Sequence, residues 1–386
     1  MLLLLILSWI ALSTVIVSSV TIGVGVKKMM RLDDTKIADP EESPLVSVII
    51  PACNEENHIE KSLMSLLSQV YKKLEIIVVN DRSRDNTGKI LNEMKRRFPQ
   101  LIIHEISCLP DGWMGKSYAL SRGAQLAKGE YLVFTDADVI LEKTTIARAV
   151  WYMTDNRLGH LTLAFKNITQ GWLLNCLIID AALGLLAVFR PWMAKKDSSH
   201  CFIGIGAFNM VRRVVYQEIG GHEEIKMHPV DDMMLGKIIK EQGFSQDCLL
   251  AYNFVLIPWY DSVSAMISGL EKNMFALVHY RIVFVLLLLL GIVVASILPF
   301  WGAIFGDNYL QSICFIALCL RCVTFYQGLR LQGLPWWFFP GCIITPYISC
   351  YIVLNSAIVT IRNGGIIWRG QRYPLDGLIK TRPLLL

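Results

Sequence analysis

The sequence predicts an α/β domain with a mostly parallel sheet, joined to α-helical transmembrane segments. Three observations carry this. From residue 46 to about 165, short apolar runs alternate with segments of helical spacing, the pattern of repeated β-α-β units. Acidic residues follow the ends of three of those runs, where ligands sit in an open α/β sheet. The composition is also uneven. Hydrophobic residues make up 54% of the 386-residue chain and charged ones only 18%, below the usual share of about 25%. Mean hydropathy is +0.46. Residues 41–160 have the makeup of a soluble domain, whereas the start and the last hundred residues have that of lipid-facing protein.

Residues 1–26 are almost wholly apolar, and Lys27, Lys28 and Arg31 follow them directly. The charges come after the apolar run and no A-x-A cleavage site is present, so an uncleaved anchor is expected in preference to a signal peptide. By the positive-inside rule its C-terminal end faces the cytoplasm. Residues 27–45 form a polar linker. Residues 46–50 read as a strand stopped by Pro51, and 56–70 as a helix. Residues 74–79 read as a second strand ending in Asn80-Asp81, and 85–98 as a basic-faced helix. A third strand (101–106) and a helix (117–128) lead to the run Tyr131-Leu132-Val133-Phe134-Thr135-Asp136-Ala137-Asp138. That run reads as a buried strand ending in two carboxylates. Residues 158–165 suit a further strand. Residues 172–192 are apolar but interrupted by Asp180 and Arg190; Trp at both ends favours a helix in the membrane interface over a core helix or a further span. Gly204 and Gly206 are expected to let the backbone approach a ligand closely. A helix is expected over 233–242, ended by Gly243.

The last third reads as membrane. Residues 282–305 and 336–361 are long enough to span, the second carrying Pro340 and Pro346; 310–322 is marginal, with Arg321 inside it. Three full crossings would leave the tail outside, yet Arg362, Arg369 and Arg372 favour an inside tail. One segment is therefore expected to be re-entrant, with the proline-bearing one as candidate. The expected division is an anchor (1–26), a linker (27–45), the α/β domain (46–281), membrane helices (282–361) and a cytoplasmic tail (362–386). The net charge of +5 fits a cytoplasmic-face bias; no compact basic stripe with interleaved aromatics points to nucleic acid. The ten cysteines suggest neither a disulfide framework nor a zinc site.

Each polar motif has a bland reading beside its chemical one. Asp136 and Asp138 can face one point and, as hard oxygen donors, suit Mg²⁺ or Mn²⁺ carrying a diphosphate; alone, a D-x-D is as often a solvated turn. Glu55 and Asp81 can accept hydrogen bonds from a uracil ring N–H and a ribose hydroxyl, while Asn54 and Asp85 suit helix capping. Gly112-Trp113-Met114-Gly115-Lys116 places a lysine at a helix N-terminus, an anion site, or else a surface lysine beside a structural Trp. Asp231 and Asp232 complement a helix dipole, and one can serve as a general base. Successive residues point in different directions, so Asp232 is expected as the base and Asp231 as the orienting group.

The series Val-Ile-Ile-Pro-Ala-Cys-Asn-Glu-Glu, Val-Asn-Asp-Arg-Ser-Arg-Asp-Asn-Thr, Thr-Asp-Ala-Asp and Val-Asp-Asp-Met-Met-Leu-Gly resembles the family 2 inverting glycosyltransferases, from residue 46 to about 245. The resemblance implies a GT-A fold, Rossmann-like, with a nucleotide-diphosphate sugar donor, UDP-linked by preference, and a divalent cation. It implies nucleotide contacts at Glu55 and Asp81 and a phosphate-side lysine at Lys116. It further implies diphosphate and metal binding at Asp136 and Asp138, and a catalytic base at Asp232. The Gly-Trp-Met-Gly-Lys loop, Gly269-Leu270-Glu271-Lys272-Asn273 and Trp368-Arg369-Gly370-Gln371-Arg372-Tyr373 resemble the hopene-associated and carotenoid-type branch, whose acceptors are lipids. Asn80 stands where many members have a second Asp. The Q-x-x-R-W motif of processive synthases is absent, which weighs against polymer synthesis; Lys272 is a candidate for the missing positive charge. The expected protein is thus a multi-pass membrane glycosyltransferase with a cytoplasmic catalytic domain and a hopanoid or terpenoid hydroxyl as acceptor. Its competitors are a processive polysaccharide synthase and a silent membrane scaffold that keeps a nucleotide-binding fold.

Overall fold

The computed structural model describes residues 2–39 and 43–385. Residues 1, 40–42 and 386, parts of the expected anchor, linker and tail, lie outside the described residues. The strands in chain order are β1 (Val46–Ala52), β2 (Leu74–Asp81), β3 (Leu101–Ile106), β4 (Tyr131–Phe134), β5 (Ile140–Leu141), β6 (His160–Ala164), β7 (Lys166–Asn167), β8 (Asn209–Arg212), β9 (Gln246–Leu250), β10 (Val255–Ile257), β11 (Gly365–Trp368) and β12 (Gln371–Pro374). Seven of them form one sheet in the order β3-β2-β1-β4-β8-β6-β9. Only β8 runs against the others in this sheet, paired antiparallel to both β4 and β6. Side chains alternate across it: Val48 and Ile50 of β1 join the core on one face, and Ile49 joins the core on the other. Both faces are covered, which is why these strands read as continuous apolar runs.

Pro51 does not stop β1, contrary to expectation. The Ile49 carbonyl accepts from the Thr135 N–H, so the backbone of Pro51, two residues on, faces the same side. The β4 ladder has already ended there, at Ile49 opposite Phe134. The missing N–H of proline therefore leaves no ladder bond unmade. The first helix is shorter than expected, Ile59–Leu67. Two others start two residues early, at Gly115 and at Asp231. That shift puts Lys116, Asp231 and Asp232 inside first helical turns.

Among the described residues, five helical stretches are long and apolar enough to cross a membrane: Leu2–Lys28, Trp172–Met193, Ile282–Phe305, Asn308–Gln332 and Gly341–Arg362. Two prolines are absorbed by local devices. Ahead of Pro299 the helix widens to a π turn over Val293–Ile297, which makes room for the ring. Pro346 lies inside an unbroken helix. It deprives the Cys342 carbonyl of its i+4 donor, and Arg321 Nη2 donates to that oxygen at 3.3 Å and to Asp180 Oδ1 at 2.7 Å. Arg321 thus sits in an apolar segment because it has a carboxylate and an orphaned carbonyl to satisfy. The spacing Cys319 to Cys322 is a C-x-x-C that the sequence reading passed over. Cys319 is exposed, and Cys322 Sγ faces Cys342 Sγ at 3.6 Å.

Two apolar helices leave the α/β domain and come back to it. Asn167 Nδ2 donates to Asn175 Oδ1 at 3.0 Å at the start of the 172–189 helix, and Lys195 pairs with Asp247 at 3.2 Å just past its end. Gln332 Nε2 donates to the Phe165 carbonyl, and after the Gly341–Arg362 helix Arg369 pairs with Glu55 at 2.6 Å. The tail is folded: β11 and β12 form a hairpin, followed by the helix Leu375–Ile379.

Candidate functional site

Register brings the acids together. β4 ends at Phe134 beside the middle of β1, and the Asp136 N–H donates to the Gly206 carbonyl at 3.1 Å. Gly206 in turn donates its N–H to Asp232 Oδ2 at 2.8 Å, while Asp232 Oδ1 accepts from the Met233 N–H at 2.8 Å. Lys116 Nζ lies 2.8 Å from Asp136 Oδ1 and 3.7 Å from Asp231 Oδ2. A methyl group at Gly206 would stand 2.7 Å from Asp136 Oδ2, 3.2 Å from Asp232 Oδ2 and 3.4 Å from Lys116 Nζ. Three residues from three separate segments therefore meet around one glycine at the carboxyl edge of the sheet, and Asp231 joins them through Lys116.

The loop carrying Gly206 lies on the helix Asp231–Glu241 because neither surface has a side chain in the way. A Cβ on Gly204 would fall 1.8 Å from the Asp232 carbonyl oxygen, and one on Gly236 would fall 2.0 Å from that of Ile203. The two glycines serve packing, and Gly206 serves the site.

The electrostatics follow from burial and these pairings. Burial pushes the Asp138 carboxyl up to about 7, with Asp136 and Glu55 adding to the push. Burial and then Asp231 raise Asp232 to about 6. Burial alone would lower Lys116, but Asp136, Asp231 and Asp232 outweigh it and hold the ammonium above its usual range. Burial would raise Asp136, and Lys116 outweighs it, holding that carboxyl low. Burial and the Lys116 charge bring Lys272 down to about 8. His222 and His228 line the cluster, both lowered to about 4 by burial, so neither is charged near neutrality.

Asp231 is buried and Asp232 is half-buried, so Asp232 is the one open to an approaching group. Asp81 is held by Arg82 through two contacts, 2.7 and 3.0 Å, and a Cβ on Gly115 would fall 2.3 Å from its Oδ2. Glu55 is held by Arg369, and burial raises its carboxyl against that cation. Asp138 Oδ1 is buried without a hydrogen-bond partner, a hard oxygen left free. No group of three His, Cys, Asp or Glu side chains is placed to hold a metal ion unaided among the described residues. Asp136 and Asp138 thus fit a cation only as two carboxylates whose partner ligands come from a substrate.

Asp85 stands one residue before the N-cap, Asn86, and its Oδ1 accepts from the N–H of the first helical residue, Thr87, so the capping expectation is met only in that form. It fails for Asn54, which instead accepts from the Arg84 N–H and stitches the two loops together. Asn80 bonds Glu105 on the neighbouring strand at 2.7 Å. Sequence reasoning placed none of Arg369, Trp368, Tyr373 and Arg82 at the site. The Trp-Arg-Gly turn of the tail, with Arg369 at φ +49° and Gly370 at φ +78°, was the available signal.

Residues 47–220 match glycosyl transferase family 2. The chain's relatives include the probable glycosyltransferase YdaM of Bacillus subtilis, 33% identical over 190 residues, 48% of this chain and 44% of the relative. They also include the 4,4′-diaponeurosporenoate glycosyltransferase of Staphylococcus haemolyticus, 27% identical over 249 residues, 62% of this chain and 63% of the relative. The chain thus spans about half to three-fifths of the curated relatives it matches. The mannosyltransferase PcManGT of Pyrobaculum calidifontis, solved with GDP-Man and Mn²⁺, superposes with a TM-score of 0.57 at 17% identity, covering 89% of this chain and 97% of that one. The domain therefore has the GT-A fold.

Proposed function

We propose that this protein is a membrane-bound inverting glycosyltransferase that moves one sugar from a nucleotide-diphosphate sugar to a lipid hydroxyl, of the hopanoid or terpenoid kind. The observation that carries this reading is the meeting of Lys116, Asp136 and Asp232 around Gly206, with Asp231 joined through Lys116. It lies in a family 2 domain that is packed against apolar helices. Glu55 and Asp81 receive the nucleoside. Asp136 and Asp138 would hold a divalent cation, Mg²⁺ or Mn²⁺, which when bound would neutralise charge on the leaving diphosphate. Lys116 contributes a second positive charge at the start of its helix. Asp232 accepts the acceptor hydroxyl's proton on a carboxylate whose orientation is set by the Gly206 and Met233 N–H groups. Asp231 acts on Lys116, not on the acceptor. The mannosyltransferase bound to GDP-Man and Mn²⁺ and the diaponeurosporenoate glycosyltransferase support the donor class, the cation and a lipid acceptor.

For the membrane we propose three crossings, by Leu2–Lys28, Ile282–Phe305 and Asn308–Gln332. The helices at 172–189 and 341–362 lie along the domain-side interface. The support is that both flanks of each of these two helices bond to the same α/β domain, so neither joins opposite sides of a bilayer. This arrangement keeps Lys27, Lys28, Arg330 and the arginines of the tail on one side, the cytoplasmic one by charge. It also brings a soluble donor and an apolar acceptor to one boundary. The test is transfer by protein in lipid nanodiscs, with lipid extracts weighed for a hexose-sized gain. Asp138→Asn and Asp232→Asn are expected to abolish the gain while the fold persists. Full activity in both variants would end the assignment.

A further inference from the structure

We propose that the Lys272 ammonium binds the diphosphate of the sugar donor, and that Trp368 of the C-terminal hairpin seats it there. The inference rests on the nucleotide-sugar reading above. Lys272 projects from the helix Val263–Leu277, and its Nζ lies 4.2 Å from the centre of the Trp368 ring. It lines one cleft with Gly115, Lys116, Ser117 and Asp231, at the start of a helix that has no side-chain cap. Among the described residues no carboxylate lies within 4 Å of its ammonium; the adjacent Glu271 is engaged by Asn355 Nδ2 at 2.7 Å. Asp231, Asp136 and Asp232 act on it from beyond ion-pair distance, so a half-buried ammonium in direct contact with a ring face, beside a second ammonium and an uncapped helix start, is a configuration that an anion completes.

The hairpin is positioned as a cover for this cleft. It packs Ile366 and Tyr373 against Met114 and Phe275 of the domain, and makes three polar or ring contacts with it. The Tyr373 hydroxyl accepts from the Gly115 N–H at 3.2 Å, Arg369 reaches Glu55, and Trp368 covers Lys272. Each of these three contacts lands on a group at the donor side of the site, so the apolar packing of the hairpin also fixes its polar and ring groups there. Lys272 and Trp368 are therefore donor-positioning residues, supplied from the helix Val263–Leu277 and from the C-terminal hairpin.

The experiment is calorimetric titration of the full-length protein in nanodiscs, with Mn²⁺, by UDP and GDP and by UMP and GMP as references. For Lys272→Gln, the diphosphate that binds the wild type is expected to bind about 10- to 100-fold more weakly, the loss of one charge-assisted hydrogen bond. Its monophosphate is expected to change by less than about 3-fold, within half a kcal/mol or so. Lys272→Arg is expected to restore most of the affinity, and Trp368→Leu to reproduce the diphosphate-selective loss in weaker form. Equal loss for mono- and diphosphate, or no loss, would overturn the assignment and leave the glycosyltransferase reading standing. Failure of the wild type to bind any of the four nucleotides would overturn both.

Discussion

Gly206→Ala separates the site from the fold. The glycine is not in the left-handed region, so alanine meets no backbone strain there. Its methyl would stand 2.7 Å from Asp136 Oδ2, and an ordinary contact needs at least 3.4 Å, so the carboxylate must retreat by about 0.7 Å. Asp136 cannot do so freely, because Lys116 holds its other oxygen at 2.8 Å and its backbone is tied to Gly206. Misplacing a reacting group by about 1 Å costs about 100-fold in rate. Sugar transfer is therefore expected to fall by about 30- to 100-fold in kcat/KM. The folding cost is small, about 1 kcal/mol or less, since only the ends of short polar side chains move. Gly204→Ala is the contrasting control. Its methyl would meet the Asp232 backbone carbonyl at 1.8 Å, so it is expected to unseat the loop and lower the melting temperature sharply. The assay is transfer in nanodiscs alongside thermal unfolding of each variant. Activity of Gly206→Ala within about twofold of wild type, some 0.4 kcal/mol, would refute the convergence argument.

Three further outcomes are expected. Arg321→Met leaves the part-buried Asp180 unpaired, and is expected to cost up to about 3 kcal/mol, with much of it recovered when Asp180 is also replaced by Leu; thermal unfolding in detergent of the single and double variants checks this. The Asp138 carboxyl is raised from its ordinary value to about 7. Without divalent cation its ionisation therefore destabilises the fold increasingly from about pH 4 upward, fully so above about pH 7. Asp138→Asn is accordingly expected to raise the melting temperature at pH 8 and hardly at pH 4, and melting curves in EDTA at the two values decide it. Asp232 must be ionised to accept a proton, and it is raised to about 6. Transfer is thus expected to climb with pH through about 6, roughly tenfold per unit on the acid side, in a pH–rate profile measured at low donor concentration.

The strands were legible because their period and apolar content come from the sheet's two covered faces, a local property of each segment. The acids at the strand ends were legible for a related reason: in a parallel sheet, residues just past successive strands must share an edge. Asp136, Asp138, Asp81 and Glu55 could be gathered on that ground before any coordinate was known. The helix starts were misjudged by two residues at Gly115 and Asp231, since no side-chain cap marks either boundary. β8 was missed as a strand, because its four residues are defined by neighbours on both sides and not by their own pattern.

Taken alone, the chain determined its elements, its apolar segments and the residue types available for chemistry, since these depend on spacing and composition. Only the tertiary structure decided which charge meets which. Arg321 with Asp180, Arg369 with Glu55, Lys272 with Trp368 and Gly206 among its three neighbours join segments that lie tens to hundreds of residues apart. No local rule specifies such pairs, because they are set by how the sheet, the apolar helices and the returning tail pack together in three dimensions.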